Sequence, residues 1–156
     1  NTYGPRQSAR AIIPTIITQI IANRTKIRLG ALHPTRDFNY VRDTVNGFIS
    51  VLLSERSIGK VFNIGSNYEI SIGDLVKLIS EITNTPICIE TDSSRIRPDS
   101  SEVERLWADN SRAKEILGWK PEYQGYEGLK RGLQETIQWF TNTEYKPLYK
   151  PSIYNI

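Results

Sequence analysis

The chain has 156 residues, 38% of them apolar and 24% charged, which is typical of a globular domain large enough to bury a core. Its net charge of +3 is small, and the basic residues are not gathered into the cluster that a nucleic-acid groove usually shows. No apolar run is long enough to cross a bilayer. We therefore expect neither a nucleic-acid partner nor a membrane partner.

Two helices are predicted in the first third of the chain. Isoleucines at helical spacing predict the first over Ile12 to Ile21, where Pro14 is tolerated in the opening turn. The second is predicted to follow Asp43, which is a good N-cap residue. Its apolar side chains share one face: Val45, Phe48, Ile49, Leu52 and Leu53.

Three further helices are predicted towards the end of the chain. The third begins with Ser71 and Asp74, a spacing close to that of a capping box. A short fourth helix covers residues 111–117 and ends at Gly118, because glycine readily adopts the left-handed conformation that follows a helix. The fifth extends over residues 126–140.

Short segments rich in β-branched and aromatic residues predict strands between these helices. They are Lys26–Leu29, Asp37–Val41, Lys60–Ile64 and Pro86–Glu90. The alternation of strands and helices indicates an α/β or α+β fold, with about five helices and a small mixed sheet. We expect one domain over residues 1–141, followed by an extended tail over residues 142–156.

The single cysteine and the single histidine give little support to catalysis or metal binding. Cys88 lies in an apolar run and is predicted to be a buried strand residue. A lone cysteine cannot form an internal disulfide, which fits a reducing compartment, and we expect the protein to be cytoplasmic. His33 has no second histidine as a partner, so no metal site is predicted.

Two matches to known motifs are rejected. Glycines between Gly125 and Gly132 resemble a dinucleotide fingerprint, but no hydrophobic strand precedes them, so we expect them to serve helix packing. Tyr126 and Lys130 have the spacing of a dehydrogenase acid/base pair. No fingerprint for a nicotinamide cofactor lies nearby, and we interpret this pair as coincidental.

Polar residues at the ends of predicted elements suggest a ligand site. Two arginines from separate segments, residues 36–43 and 95–98, could clamp a diphosphate. A nearby carboxylate could accept hydrogen bonds from ribose hydroxyls. The segment Asn63–Asn67 leads into a helix N-terminus, where anions or sugars can bind. The spacing alone leaves a second interpretation open, in which these residues form surface ion pairs and caps.

Seven short motifs, taken together, resemble the second half of an extended short-chain dehydrogenase/reductase. They are Asn1–Gln7, Ile12–Pro14, Lys26–Gly30, Arg36–Val41, Phe62–Gly65, Arg97–Pro98 and Leu117–Pro121. Their order and spacing resemble those of NAD-dependent nucleotide-sugar epimerases and dehydratases. They are most similar to bacterial UDP-N-acetylglucosamine 4,6-dehydratase-like proteins.

This resemblance implies that the chain is the C-terminal, substrate-binding part of a longer enzyme. The parent enzyme would use NAD to dehydrate a UDP-sugar. UDP-sugar 4-epimerisation is an alternative, as is a stand-alone nucleotide-binding or interaction domain. The NAD-binding Rossmann half and the catalytic residues would lie upstream, so this part alone is expected to be inactive and not to bind NAD. The parent is expected to be a homodimer. The isoleucine-rich first helix would pack partly against the upstream half, so we expect the fragment alone to expose an apolar patch there and to self-associate.

The resemblance also implies roles for five residues around the diphosphate of the substrate. Asn1 would contact the sugar diphosphate, and Ala11 and Ile12 would border it. Arg36 and Arg97 would neutralise the two phosphates.

Five more residues would contact the nucleoside. Ile27, Arg28 and Leu29 would meet the edge of the base, partly through their strand backbone. Asn63 would approach the nucleoside, and Glu102 would bind the ribose. No catalytic, cofactor-binding or metal-binding residue is implied within the chain.

Overall fold

The structure, a computed structural model, describes residues 1–22, 26–96, 101–142 and 144. These residues form five α-helices: α1 Ile12–Ile21, α2 Val41–Leu53, α3 Ile72–Thr83, α4 Ser111–Leu117 and α5 Gly125–Thr141. They also form seven short strands: β1 Thr2–Tyr3, β2 Lys26–Leu29, β3 Thr35–Asp37, β4 Asn39–Tyr40, β5 Glu69–Ser71, β6 Cys88–Thr91 and β7 Arg105–Leu106. The mixed class and the five helices are confirmed.

The strands form three small sheets in place of the single mixed sheet that we expected. β1 pairs with β4 and β2 pairs with β6, both in parallel. In the third sheet β3 is central, antiparallel to β5 and parallel to β7. The central position of β3 holds its side chains in a fixed register.

Helix α1 supplies the centre of the hydrophobic core. Its isoleucines at positions 13, 16 and 17 are fully buried, as the spacing predicts. They belong to one buried cluster with side chains of α3 and α5, among them Leu75, Ile79, Leu129 and Leu133. One continuous core therefore connects these three helices.

The ends of α3 and α4 follow the predicted capping chemistry. The hydroxyl oxygen of Ser71 accepts a hydrogen bond from the backbone N–H of Asp74 at 3.0 Å, which satisfies one free donor at the start of α3. After α4, Gly118 has φ of 67°, a left-handed conformation that costs glycine little. Both predictions are confirmed.

The prediction for the start of α2 is wrong. The helix begins at Val41, and Asp43 lies inside its first turn. The buried carboxylate of Asp43 instead accepts hydrogen bonds from the backbone N–H groups of Glu122 and Tyr123, at 2.8 and 2.9 Å. Asp43 thus anchors a segment 80 residues away, a role that local sequence does not reveal.

The apolar side chains of α2 are exposed to solvent. Five of them, with two from the segment that follows, form what we call the α2 apolar face: Val45, Phe48, Ile49, Leu52, Leu53, Ile58 and Val61. Between 47% and 82% of the surface of each is exposed. We expected the exposed patch of an isolated substrate-binding part on the first helix. The patch lies on α2, because α1 is enclosed by its own core.

Several strand predictions are corrected. The segment predicted as Asp37–Val41 is divided between β3, β4 and the start of α2, and residues 60–64 adopt no strand. β6 begins at Cys88, two residues later than predicted. Cys88 is exposed, because β6 pairs with β2 alone among the described residues and one of its sides faces solvent.

The glycine-rich segment at Gly125–Gly132 lies within α5, which confirms the packing interpretation. A methyl group on Gly128 would collide with the backbone of Tyr123, and one on Gly132 would collide with the ring of Tyr3. These glycines let α5 approach its neighbours closely. In the part of the chain that the structure describes, every helix is too short or too polar to span a bilayer.

Candidate functional site

A cavity of about 350 Å³ opens where four parts of the fold meet. The first part is the N-terminal segment and the start of α1, and the second is the end of β2. β3 with the start of α3 forms the third, and Arg95 with residues of the segment 102–106 forms the fourth. The size of the cavity is within the range of small-molecule sites.

Arg36 reaches the cavity from the middle of β3. Its neighbours in the sheet are Ile70 of β5 and Leu106 of β7, which hold the strand from both sides. The guanidinium donates one hydrogen bond to the carbonyl of Thr35 at 2.8 Å and another to a carboxylate oxygen of Glu102 at 3.1 Å. The Arg36 and Glu102 side chains are each only 13% exposed.

Asp37, the next residue in β3, points away from the cavity and fixes the strand. Its buried carboxylate accepts hydrogen bonds from the backbone N–H and the hydroxyl of Ser66, at 2.9 and 2.6 Å. It also accepts from the backbone N–H groups of Asn67 and Ala108, at 3.0 and 3.3 Å. Because successive side chains of a strand point to opposite faces, anchoring Asp37 also holds Arg36 in the cavity wall.

Gly30 and Arg95 form a second wall. A side chain at Gly30 would collide with the carbonyl oxygen of Arg95, so glycine permits these two segments to approach. The Arg95 side chain donates to Asp92 at 3.0 Å. Hydrogen bonds from Ser94 and Arg95 lower the pKa of Asp92, which therefore stays ionised beside the arginine.

The electrostatics of the cavity favour an anion. Among the described residues, the side chains that line it include three arginines and one carboxylate: Arg10, Arg36, Arg95 and Glu102. Arginine binds phosphate through planar, charge-assisted hydrogen bonds. Phe38 adds an apolar surface to the same wall. The arrangement suits a ligand that combines phosphate groups with an apolar or ring portion.

Comparison with known proteins identifies the family. The model of the family described as GDP-mannose 4,6 dehydratase matches residues 1–132. The chain belongs to this family. It is 33% identical over 142 residues to a mouse dTDP-D-glucose 4,6-dehydratase, covering 90% of this chain and 39% of that protein. It is 30% identical over 145 residues to a UDP-glucose 4-epimerase of Mycolicibacterium smegmatis, covering 91% of this chain and 44% of that one.

The fold of this family member is also similar to a solved structure. A UDP-glucuronic acid 4-epimerase from Bacillus cereus, in complex with UDP-glucuronic acid and NAD, matches with a TM-score of 0.78 and 26% identity. The match covers 96% of this chain and 44% of that one. The resemblance to nucleotide-sugar dehydratases and epimerases is thus confirmed, and the chain spans less than half the length of these relatives.

In this GDP-mannose 4,6-dehydratase family member, the cavity brings together six of the ten predicted substrate-binding residues. They are Asn1, Ala11, Ile12, Leu29, Arg36 and Glu102. They come from segments up to 101 positions apart in the chain, so the fold alone places them together.

Three other predicted residues lie outside the cavity. Ile27 is fully buried in the core. The backbone N–H and carbonyl of Arg28 are both hydrogen-bonded by the side chain of Gln19, and the Arg28 side chain pairs with Glu90 at 3.3 Å.

Asn63 is exposed and donates a hydrogen bond to the carbonyl of Asp109 at 3.2 Å, just before α4. Arg97, the tenth predicted residue, lies outside the residues that the structure describes.

Four residues with no role predicted from the sequence also line the cavity: Arg10, Gly30, Phe38 and Arg95. The signal for Gly30 was its position directly after a strand, where a glycine often permits a close backbone approach. Arg10 carried no comparable signal, because a single arginine before a helix is common on protein surfaces.

Proposed function

We propose that this chain is the substrate-binding part of an NAD-dependent nucleotide-sugar 4,6-dehydratase that acts on a UDP-sugar such as UDP-N-acetylglucosamine. The observation that carries this proposal is the largely buried guanidinium of Arg36 in a cavity with a surplus of arginine. The guanidinium already pairs with Glu102 and the carbonyl of Thr35, which hold it in the cavity wall. The diphosphate of a nucleotide sugar is a ligand that an arginine held in this way binds well.

The roles of the other residues follow from their positions. Arg36 would bind one phosphate, with Arg97 as its proposed counterpart for the other. Asn1, which precedes β1, lines the cavity and would contact the sugar diphosphate. Ala11 and Ile12 line it at the start of α1 and would border the diphosphate.

The base would meet the end of β2, where Leu29 lines the cavity. Ile27 and Arg28 precede Leu29 in β2, and we propose that they also meet the edge of the base, partly through the backbone of the strand. Asn63 is proposed to approach the nucleoside, and Glu102 to accept hydrogen bonds from the ribose.

The glycine-rich segment 125–132 does not suit the pyrophosphate of NAD. Gly128 is packed against Tyr123 and Gly132 against Tyr3, which leaves no space for a pyrophosphate beside these two glycines. We propose that NAD is bound by other residues of the full-length enzyme, and that this chain alone is inactive. Enhancement of NADH fluorescence by this chain alone would contradict that proposal.

UDP-sugar 4-epimerisation has equal support as the reaction of the parent enzyme. A UDP-glucose 4-epimerase is among the relatives with 30% identity, and a UDP-glucuronic acid 4-epimerase shares the fold. Both reactions would use the same diphosphate-binding cavity. Incubating the full-length enzyme with UDP-N-acetylglucosamine and identifying the product separates them, because dehydration removes one water and epimerisation leaves the mass unchanged.

The proposal is tested by calorimetric titration of UDP into the full-length protein. We expect Arg36→Ala to weaken binding by about tenfold or more, because one arginine–phosphate contact contributes about 1.5–3 kcal/mol. We expect a similar loss for Arg97→Ala. Arg131→Ala is the matched control, since Arg131 forms an exposed ion pair with Glu122 outside the cavity. UDP binding by folded Arg36→Ala that equals wild type would overturn the assignment.

A further inference from the structure

The ion pair between Arg36 and Glu102 differs from the other ion pairs of the described residues. It is the least exposed of them, with both side chains at 13%, and it joins residues 66 positions apart. The pairs Arg28–Glu90 and Lys77–Asp74 are more than half exposed. An ion pair largely removed from water inside the candidate cavity must be broken or shared when an anion binds there.

Two unfavourable effects on Glu102 follow when a phosphate binds the guanidinium of Arg36. The carboxylate of Glu102 loses its positive partner in a place with little access to water, which is unfavourable. It also lies near the incoming negative charge, which adds repulsion. A phosphate or pyrophosphate ion has no alcohol hydroxyl, and any P–OH group that it retains belongs to the anion that the Glu102 carboxylate repels.

A nucleoside diphosphate has the missing group. Its ribose carries hydroxyls, and an ionised carboxylate accepts hydrogen bonds from hydroxyls in short, charge-assisted geometry. A ligand with both a diphosphate and neighbouring hydroxyls can therefore replace both halves of the ion pair at once.

We propose that Glu102 is a specificity-determining residue that competes with the ligand for Arg36 and so excludes inorganic phosphates from the cavity. This inference rests on the proposed nucleotide-sugar function and adds to it a criterion for which ligands the cavity accepts. The cavity accepts a diphosphate only when hydroxyl donors accompany it. No covalent step is involved.

The test compares the dissociation constants of pyrophosphate and UDP for the full-length protein, by calorimetry at fixed salt. In wild type we expect UDP to bind much more tightly than pyrophosphate. In Glu102→Gln we expect that preference to fall at least about tenfold, because the carboxamide neither holds Arg36 as an ion pair nor repels the anion. A ratio of two dissociation constants does not depend on the folded fraction, so partial loss of stability in the variant leaves the test valid.

Glu104→Gln is the matched control. Glu104 lies two residues further along, and its exposed side chain pairs with His33. We expect its preference for UDP to equal that of wild type. If Glu102→Gln keeps the wild-type preference, the inference is overturned and the nucleotide-binding proposal stands. If wild type binds no UDP, the proposed function is overturned together with the inference.

Discussion

At the scale of single residues, Asp37 contributes most visibly to the site without touching the cavity. Its carboxylate receives four hydrogen bonds from Ser66, Asn67 and Ala108 while only 5% of its surface is exposed. Asp37→Ala leaves the three backbone N–H groups without this acceptor, and the Ser66 hydroxyl keeps only the carbonyl of Tyr68, at 3.2 Å. We expect the free energy of unfolding to fall by about 3 kcal/mol or more, measured by urea denaturation.

The control for this variant is Glu90→Ala. Glu90 forms an exposed ion pair with Arg28, and such pairs contribute about 0–1 kcal/mol. Asp37→Asn keeps the size and one acceptor oxygen, so an intermediate loss is expected. A loss below about 1 kcal/mol for Asp37→Ala would show that water replaces the carboxylate.

At the scale of elements, a carboxylate connects α5 to β4. Glu135 accepts hydrogen bonds from the hydroxyls of Tyr123 and Tyr40, at 2.7 and 2.8 Å. Burial raises the pKa of Glu135, but these two hydrogen bonds, with Arg42 and Arg131 nearby, lower it more, so the net pKa lies below its usual 4.5. The ionised form is therefore favoured by folding. Its contribution is complete above pH 4.5 and is lost as the pH falls through the lowered pKa.

We expect Glu135→Gln to be less stable than wild type at pH 7, with a difference that narrows as the pH falls below 4.5. Chemical denaturation across this pH range measures the difference. Glu115→Gln, at an exposed position of α4, should show no such narrowing. If the difference in the free energy of unfolding between Glu135→Gln and wild type stays constant from pH 7 to pH 3, the role of the ionised carboxylate is contradicted.

At the scale of the whole molecule, the α2 apolar face is the main exposed apolar surface of the described residues. Seven large apolar side chains on adjoining segments exceed the scattered exposure that is normal for a monomer. In an enzyme of the relatives' length, we propose that additional residues cover this face. In this chain alone, we expect a second copy to cover it, so that light scattering reports self-association that increases with concentration.

Leu52→Glu should shift this association towards monomer, since Leu52 is 82% exposed and a charge there opposes burial. Little change in the free energy of unfolding is expected, because the side chain has few contacts to lose. Gln138→Glu adds the same charge at an exposed position of α5 and should leave the association as in wild type. A wild-type chain that remains monomeric at high concentration would contradict the prediction.

Local patterns were sufficient for most of the helices. The isoleucine spacing of α1, the Ser71 cap of α3 and Gly118 after α4 all depend on interactions within a few residues, which the sequence contains in full. The short strands β1, β5 and β7 were missed because two or three residues carry no readable periodicity.

The sequence by itself determined the mixed class, the isoleucine core and, through its ordered motifs, the family. Only the tertiary structure decided which apolar face is covered, because helical spacing shows that a face exists and not what lies against it. The same holds for the site, where Arg36 meets Glu102 across 66 positions and Asp43 binds Tyr123 across 80. These contacts are long-range, and their geometry depends on how the whole chain packs.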